Sequence, residues 1–184
     1  TGLFLSFLDA WRNFVCFAIA PANFSAAVSN NDHCGETESA TTFDHRGTAF
    51  NLDDTVKQAI MALKGESESD IRARTIAFWH EEVAHRVRPG AAAVLDSHRA
   101  LGEPLVLLTG SSTYMSELVI EALRLDGTLC TRFAVEDGCF TGEGELCYGE
   151  AKLTAAKAFL ADKPIALEDC AFYTDSYTDL PVMD

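Results

Sequence analysis

The stretch Phe172-Tyr-Thr-Asp-Ser-Tyr-Thr-Asp-Leu-Pro181 decides how the rest of the chain is interpreted. Its apolar start, Ala171 to Tyr173, runs directly into a polar loop with two carboxylates, Asp175 and Asp179. A buried parallel strand ends in this way when its C-terminal tip carries a site. A carboxylate fixed there is a good ligand for a hard cation, and a second one behind it can orient the first. The alternative is a polar turn with scattered acids, which an acidic chain also carries by chance.

Composition and charge restrict the class of protein. The chain has 184 residues, of which 48% are hydrophobic and 23% charged, which predicts a globular α/β domain with a small insertion. The formal net charge of -14 argues against nucleic acid and anionic membrane surfaces as main partners. A small anionic substrate stays compatible with this charge, because a metal ion and a few local donors can invert the local field.

The six cysteines show neither a Cys-x-x-Cys pair nor a zinc-binding spacing. We interpret them as small buried hydrophobic residues in a reducing, cytoplasmic compartment, with a disulfide framework as the alternative. No apolar run reaches the length of a membrane span, so we expect no membrane partner. The run from Phe14 to Ala20 also has the character of a short signal-peptide segment, which is the alternative to a packing helix.

The first half of the chain is predicted to be mainly helical. Residues 1 to 28 carry apolar side chains at helical spacing, and residues 29 to 50 form a polar loop. Two further helices are expected between 51 and 87: the first is capped by Asp53 or Asp54, and the second starts with the capping sequence Ser67-Glu-Ser-Asp70. Arg88-Pro-Gly90 should end the second helix. Residues 1–87 are therefore predicted to form a helical cap region.

The second half, residues 88–184, alternates between strands and helices, which predicts a parallel sheet with helices on both faces. The continuous apolar run Pro104 to Leu108 is typical of a strand buried on both faces. Asp137-Gly138 indicates a tight hairpin turn. The remaining predicted elements are helices at 91–100, 115–123 and 150–160, a strand at 129–133, and the apolar run at 171–173.

Three predicted element ends carry different polar groups. Thr109 offers a hydroxyl, and the amides of Gly110 and Ser111 are expected to point outward at a helix N-terminus, where anions bind. Lys152 lies in the first turn of a helix, the unfavourable end for a cation, which suggests a functional role. Asp175 offers a metal ligand. A phosphoryl group can be bound by three such partners together: a hydroxyl with amides, an ammonium, and a cation held by a carboxylate.

In this order, the three groups resemble motifs of the haloacid dehalogenase superfamily, in the branch of phosphoserine-phosphatase-like hydrolases. Leu107-Leu-Thr-Gly-Ser-Ser112 is similar to the second motif, Cys147-Tyr-Gly-Glu-Ala-Lys152 to the third, and Tyr173-Thr-Asp-Ser-Tyr-Thr-Asp-Leu-Pro181 to the fourth. The hairpin Asp137-Gly-Cys-Phe-Thr-Gly142 is also common in this branch. The resemblance covers residues 51 to 184 well and residues 1 to 28 loosely.

The resemblance implies a Mg²⁺-dependent phosphomonoesterase that acts on a small phosphorylated substrate through an aspartyl-phosphate. By match of position, Thr109 and Gly110, with Ser111, would hold the phosphoryl oxygens. Lys152 would balance the charge of nucleophile and phosphate. Asp175 would bind Mg²⁺, and Asp179 would support that shell. The implied fold is a Rossmann-like parallel sheet flanked by helices, with a small helical cap, and it is expected to be incomplete.

The first motif of this family, Asp-x-Asp-x-Thr after a buried strand, has no clean match. Phe43-Asp-His-Arg-Gly-Thr48 lacks the second acid, and in Ala49-Phe-Asn-Leu-Asp-Asp-Thr55 an amide, Asn51, replaces the nucleophile. Too few residues separate Asn51 from Pro89 for the expected cap. We therefore expect the chain to begin downstream of its nucleophile, with residues 1 to 28 as the first cap helix. It should also end before the last expected strand.

These observations leave three hypotheses for the function. The first is a phosphatase of this branch that is incomplete or inactive as given. In that case two strands of its sheet would lack a central partner, and the chain would be marginally stable. The second is an active enzyme that uses Asp44 as a displaced nucleophile. The third is a non-catalytic phosphate-binding domain that keeps only the anion pocket.

Overall fold

A computed structural model describes residues 16–18, 42–43, 49–50, 52–87, 89–174 and 179–183. The strands are β1 (Cys16–Ala18), β2 (Thr42–Phe43), β3 (Ala49–Phe50), β4 (Leu105–Ser112), β5 (Gly127–Glu136), β6 (Cys139–Glu145) and β7 (Ala171–Tyr173). The α-helices are α1 (Leu52–Met61), α2 (Glu68–Phe78), α3 (Pro89–Ala100), α4 (Thr113–Leu123), α5 (Glu150–Leu160) and α6 (Leu180–Met183).

A five-stranded sheet in the order β6-β5-β4-β1-β7 forms the centre of the fold. β4 and β5 are parallel, and β5 and β6 form the predicted antiparallel hairpin. β1 runs antiparallel to both of its neighbours, with Phe17 opposite Val106 on one side and Phe172 on the other. β4 and β7 are therefore parallel to each other, and the sheet is mixed rather than purely parallel.

The predicted α/β class is confirmed, because helices cover both faces of the sheet. Successive side chains of a strand point to opposite faces. In β4, Leu105 and Leu107 accordingly pack with residues of α3 and α4, whereas Val106 and Leu108 pack with residues of α5. These four side chains are at most 2% exposed, as expected for a strand buried on both faces.

The helical segments before β4 follow the predicted starts, with one irregularity. Ser67 caps α2 and accepts a hydrogen bond from the Asp70 backbone N–H. The helix continues into a π-helical turn, Trp79–Val83, and then a 3₁₀ turn, Ala84–Arg86. The buried side chains of Trp79 and Val83 join the core beside β4. A π-turn widens the helix locally, and here both of its buried residues contact the sheet side of the fold.

Several local predictions differ from the structure. Cys16–Ala18 is a strand, not part of a helix, and the rest of residues 1–28 lies outside the described part of the chain. β1 occupies the position between β4 and β7, so the expectation that these strands lack a partner is wrong. β4 extends through Ser112 instead of ending at Leu108, and α3 starts at Pro89, because proline is tolerated in a first helical turn. The division into a cap at 1–87 and a core at 88–184 stays a prediction.

Within the described residues, no helix is both long enough and apolar enough to cross a lipid bilayer.

A buried polar triad connects α3 to the end of β7. His98, which is 2% exposed, contacts Glu103 through Nδ1 at 2.5 Å and the Tyr173 hydroxyl through Nε2 at 2.9 Å. Burial, with the nearby Glu103 carboxylate, raises the pKa of Tyr173 above its ordinary value. The triad therefore links α3 to the last residue of β7 through the buried His98 ring and the half-buried Tyr173.

We predict that His98→Ala lowers the free energy of unfolding by about 3–5 kcal/mol, because it leaves the Glu103 carboxylate buried without its partner. Tyr173→Phe removes one hydrogen bond and should cost about 1 kcal/mol. Urea denaturation measures both values. His85→Ala, at an exposed position, is the matched control and should change stability by less than about 0.5 kcal/mol. Equal losses for the two histidine variants would contradict the prediction.

Candidate functional site

The candidate site lies where β4, the segment before α5 and the segment after β7 meet. Because β4 and β7 are parallel, their C-terminal ends lie at the same edge of the sheet. Thr109 to Ser111 stand in the last part of β4, and Thr174 directly follows β7. Lys152 lies in the first turn of α5, which packs on the β4 and β5 side of the sheet.

The centre of the site is a buried ion pair between Lys152 and Asp179. Lys152 is 4% exposed and Asp179 is fully buried, and the Lys152 Nζ donates to Asp179 Oδ1. The other carboxylate oxygen, Oδ2, accepts from the Thr174 hydroxyl at 2.7 Å. The pair thus joins α5 to the segment that follows β7. Because both oxygens of Asp179 are bound, its carboxylate has a fixed orientation.

Gly149 sets the direction from which Lys152 enters the site. This residue precedes α5 with φ of 54° and ψ of -128°, a conformation that residues with a side chain rarely adopt. Its carbonyl accepts from the Lys152 backbone N–H at 3.1 Å. The sharp turn brings the first helical turn, and Lys152 with it, towards the interior rather than to solvent.

The turn at the end of β4 is held by its own polar groups. The Ser111 N–H donates to Thr109 Oγ1 at 3.2 Å, so this amide does not point outward as predicted, and α4 begins only at Thr113. A hydroxyl that accepts one bond still has its own hydrogen to donate. A Cβ on Gly110 would lie 3.4 Å from both the Cys147 carbonyl oxygen and the Tyr148 ring. Gly110 therefore lies in direct contact with the segment before α5.

Cys147 shows that the second and third motifs converge. Burial raises the pKa of its thiol to about 11. The positive charge of Lys152 opposes this rise, and so does a hydrogen bond from the Thr109 backbone, whereas Cys130 and Asp179 add to it. One buried thiol thus lies within electrostatic reach of the Thr109 backbone, Lys152 and Asp179. The described parts of the three motif segments therefore lie near one another.

Thr131 is a residue of this region that the sequence analysis missed. It lies on β5 and is 1% exposed. Its hydroxyl donates to the Gly110 carbonyl at 2.8 Å and accepts from the Cys147 N–H at 3.1 Å. No motif marks it, since threonine is common in strands. Thr131 pairs with Ser112 at the irregular end of β4. Only the register of the sheet shows this position.

The structure brings together most of the predicted site residues that it describes. Thr109 and Gly110 lie beside the segment that leads to Lys152, and Lys152 contacts Asp179. Asp175, the predicted metal ligand, and Asp44, the alternative nucleophile, lie outside the described residues. Within the described ranges, no group of three or more acidic, histidine or cysteine side chains could hold a metal ion.

Comparison with known proteins identifies the family. A model of the haloacid dehalogenase-like hydrolases matches residues 29–184, which is most of the chain and includes all three motif segments. The chain belongs to the haloacid dehalogenase-like hydrolase family. The predicted resemblance is thereby confirmed, and the α/β sheet flanked by helices agrees with this assignment.

Relatives of this haloacid dehalogenase-like hydrolase include proteins named as phosphatases. A probable phosphatase of Mycobacterium tuberculosis is 35% identical over 106 residues, which cover 57% of this chain and 37% of that protein. A phosphoserine phosphatase of the same organism is 26% identical over 129 residues, covering 69% of this chain and 42% of the relative. The chain therefore spans less than half the length of these two curated relatives.

A solved structure has a similar fold. The probable phosphoserine phosphatase from Vibrio cholerae aligns with a TM-score of 0.52 and 17% identity, covering 73% of this chain and 40% of that one. At this identity the likeness concerns the fold alone.

Among the described residues, the site contains only some of the groups that a Mg²⁺ ion would need. Asp179 is a carboxylate held by Lys152 and Thr174, which fits a residue that supports a hard-cation site from behind. The direct ligand would be Asp175, four positions earlier in the same segment.

We predict that removing one partner of the ion pair destabilises the fold more than replacing both partners. Lys152→Met should lower the free energy of unfolding by about 3–5 kcal/mol, because the buried Asp179 carboxyl then loses its partner. The double variant Lys152→Met/Asp179→Asn should lose much less than the two single losses combined. Lys157→Met, on the exposed face of the same helix, is the control and should be nearly neutral. Additive losses in urea denaturation would show that the two groups do not interact.

The Cys147 thiol should resist alkylation in the folded protein. With a pKa of about 11, only on the order of one thiol in a thousand is a thiolate at pH 8. The exposed Cys139 should react first with iodoacetamide, and Cys147 only after unfolding. Peptide mass spectrometry after timed labelling measures both rates. Similar rates for the two cysteines in the native protein would contradict the described burial.

Proposed function

We propose that this chain carries the phosphate-binding part of a Mg²⁺-dependent phosphomonoesterase of the phosphoserine-phosphatase-like type. The observation that carries the proposal is the buried Lys152–Asp179 pair beside the Thr109 turn. A buried ammonium held by a carboxylate is costly to maintain for stability alone. An anion that binds next to this ammonium can accept a hydrogen bond from it in a low-dielectric environment. Sites of phosphoryl transfer stabilise negative charge in the same way.

The proposed roles follow the chemistry of each group. The Thr109 hydroxyl and the Gly110 backbone would contact phosphoryl oxygens, whereas the Ser111 N–H is already bonded to Thr109 Oγ1. Lys152 would stabilise the negative charge of the bound phosphate, and Asp179 would keep this ammonium in place. Asp175 would bind Mg²⁺, which in this chemistry neutralises phosphate charge as a Lewis acid. The substrate class is a small phosphorylated molecule, as the names of the related phosphoserine phosphatases suggest.

The nucleophile that would form an aspartyl-phosphate has no candidate among the described residues of the central strand. β1 lies between β4 and β7 but runs antiparallel to them, so its N-terminal residue, Cys16, is the one opposite Tyr173. The strand itself contains Cys16, Phe17 and Ala18, and none of these is a carboxylate. This observation favours phosphate binding without efficient hydrolysis in this chain. Catalysis by Asp44 is the competing hypothesis.

We further propose a cytoplasmic location, supported by the free thiols at Cys130, Cys139, Cys147 and Cys170.

Phosphate binding tests the central proposal. Titration with inorganic phosphate, followed by ³¹P NMR and calorimetry, should give saturable binding to the wild-type protein. Lys152→Met/Asp179→Asn should weaken it at least about tenfold, because a hydrogen bond to a charged group contributes roughly 1.5–3 kcal/mol. Lys157→Met changes the same charge on the same helix and should leave affinity unchanged. Absent binding, or equal loss in both variants, would refute a site at Lys152.

Turnover separates the two hypotheses about catalysis. With Mg²⁺ and p-nitrophenyl phosphate, we expect little or no hydrolysis above the buffer rate, because the described strand offers no attacking carboxylate. Asp44→Asn should then change nothing. Clear Mg²⁺-dependent turnover that disappears in Asp44→Asn would instead show that Asp44 is the nucleophile. Turnover that survives this substitution would mean that another carboxylate attacks phosphorus.

A further inference from the structure

Thr131 links the two backbone segments that form the candidate anion site, although it belongs to neither. Its hydroxyl donates to the Gly110 carbonyl at 2.8 Å and accepts from the Cys147 N–H at 3.1 Å. Gly110 lies in the turn that holds Thr109. Cys147 begins the segment that leads through Gly149 to Lys152. One side chain on β5 therefore touches both of the segments that would contact the phosphate.

The direction of the Gly110 carbonyl matters for an anion site. A carbonyl oxygen that faced a phosphate would repel it, whereas one that accepts from a buried hydroxyl is turned into the protein. Thr131 also accepts from the N–H of the buried Cys147, and buried donors need such a partner. The same hydroxyl thus orients a peptide group on each side of the site.

The two segments are in contact at Gly110. An added Cβ on Gly110 would lie at van der Waals distance, 3.4 Å, from the Cys147 carbonyl oxygen and the Tyr148 ring. A small displacement of either segment would change the distance between the Thr109 hydroxyl and the Lys152 ammonium. Such displacements of a binding group are costly, because a charged ligand gains most from donors that are already positioned.

From this geometry we infer that Thr131 is a positioning residue for phosphate binding, acting through Gly110 and Cys147 without touching the ligand. The inference rests on the proposed function. It assigns a specific task to a strand residue on which no motif falls.

The same strand offers a matched control. Thr128 is also on β5, three positions earlier, and its buried hydroxyl has no hydrogen-bond partner within the described part of the chain. Thr128→Val and Thr131→Val make the same chemical change in the same strand. Only the second removes bonds to the segments of the site.

Titration with inorganic phosphate compares these variants. Thr131→Val should weaken binding by about tenfold or more, as expected when positioned donors are displaced. Thr128→Val should stay within about twofold of wild type, and so should Thr131→Ser, which keeps the hydroxyl. Thermal melting without phosphate is measured in parallel, because a merely structural threonine would lower the melting temperature and leave the affinity unchanged.

Hydrogen exchange on the wild-type protein gives a second test that does not depend on the folding of a variant. If Thr131 couples the two segments, saturating phosphate should slow exchange of the Cys147 amide hydrogen by about tenfold relative to the phosphate-free protein. No slowing while phosphate binds would overturn the inference.

The outcomes distinguish this inference from the function on which it rests. If the wild-type protein does not bind phosphate, the proposed function fails and the role of Thr131 fails with it. If the wild type binds and Thr131→Val binds equally well, the inference alone is wrong. Loss of affinity in folded Thr131→Ser would also overturn it, since the hydroxyl is then not what matters.

Discussion

The buried ion pair between Lys152 and Asp179 is the interaction on which the arrangement of the site depends. It is costly in two ways: both charges lose their hydration, and Lys152 stands in the first turn of a helix, where the dipole disfavours a cation. The attraction between the two groups, and the Thr174 hydroxyl on the second carboxylate oxygen, offset these costs. A hydrophobic pair would suit the fold at least as well, and this is why we propose that the pair serves to position the ammonium.

The surrounding structure supports this pair from both sides of the sheet. On one face, the apolar contacts of α5 with Val106 and Leu108 hold the helix that carries Lys152. On the other, the triad of His98, Glu103 and Tyr173 fixes the end of β7, next to the segment that carries Asp179. Asp179 is followed by α6, whose Val182 packs in the same apolar cluster as α5, so both partners of the pair are held on one face of the sheet.

β1 completes the centre of the sheet without supplying a carboxylate from its own three residues. The strand fills the gap between β4 and β7 and satisfies backbone groups on both of its sides. Backbone hydrogen bonds can be made by a strand of either direction, and in this direction the first residue of β1, Cys16, lies at the edge where β7 ends. The backbone pairing of the sheet and the chemistry of its edge are thus separate properties here. The first needs any extended segment, and the second needs a particular one.

The sequence by itself determined the fold class, the hairpin and the buried strand at Leu105 to Leu108, and it predicted Thr109, Lys152 and Asp179 as residues of one site. These features follow from local patterns: apolar runs, turn residues and polar groups at predicted element ends. Only the tertiary structure decided that β1 is an antiparallel strand, that the Ser111 amide is bonded to Thr109, and that Thr131 joins the two segments. Strand direction, sheet register and the partner of a buried hydroxyl depend on residues far apart in the chain, and no local pattern contains that information.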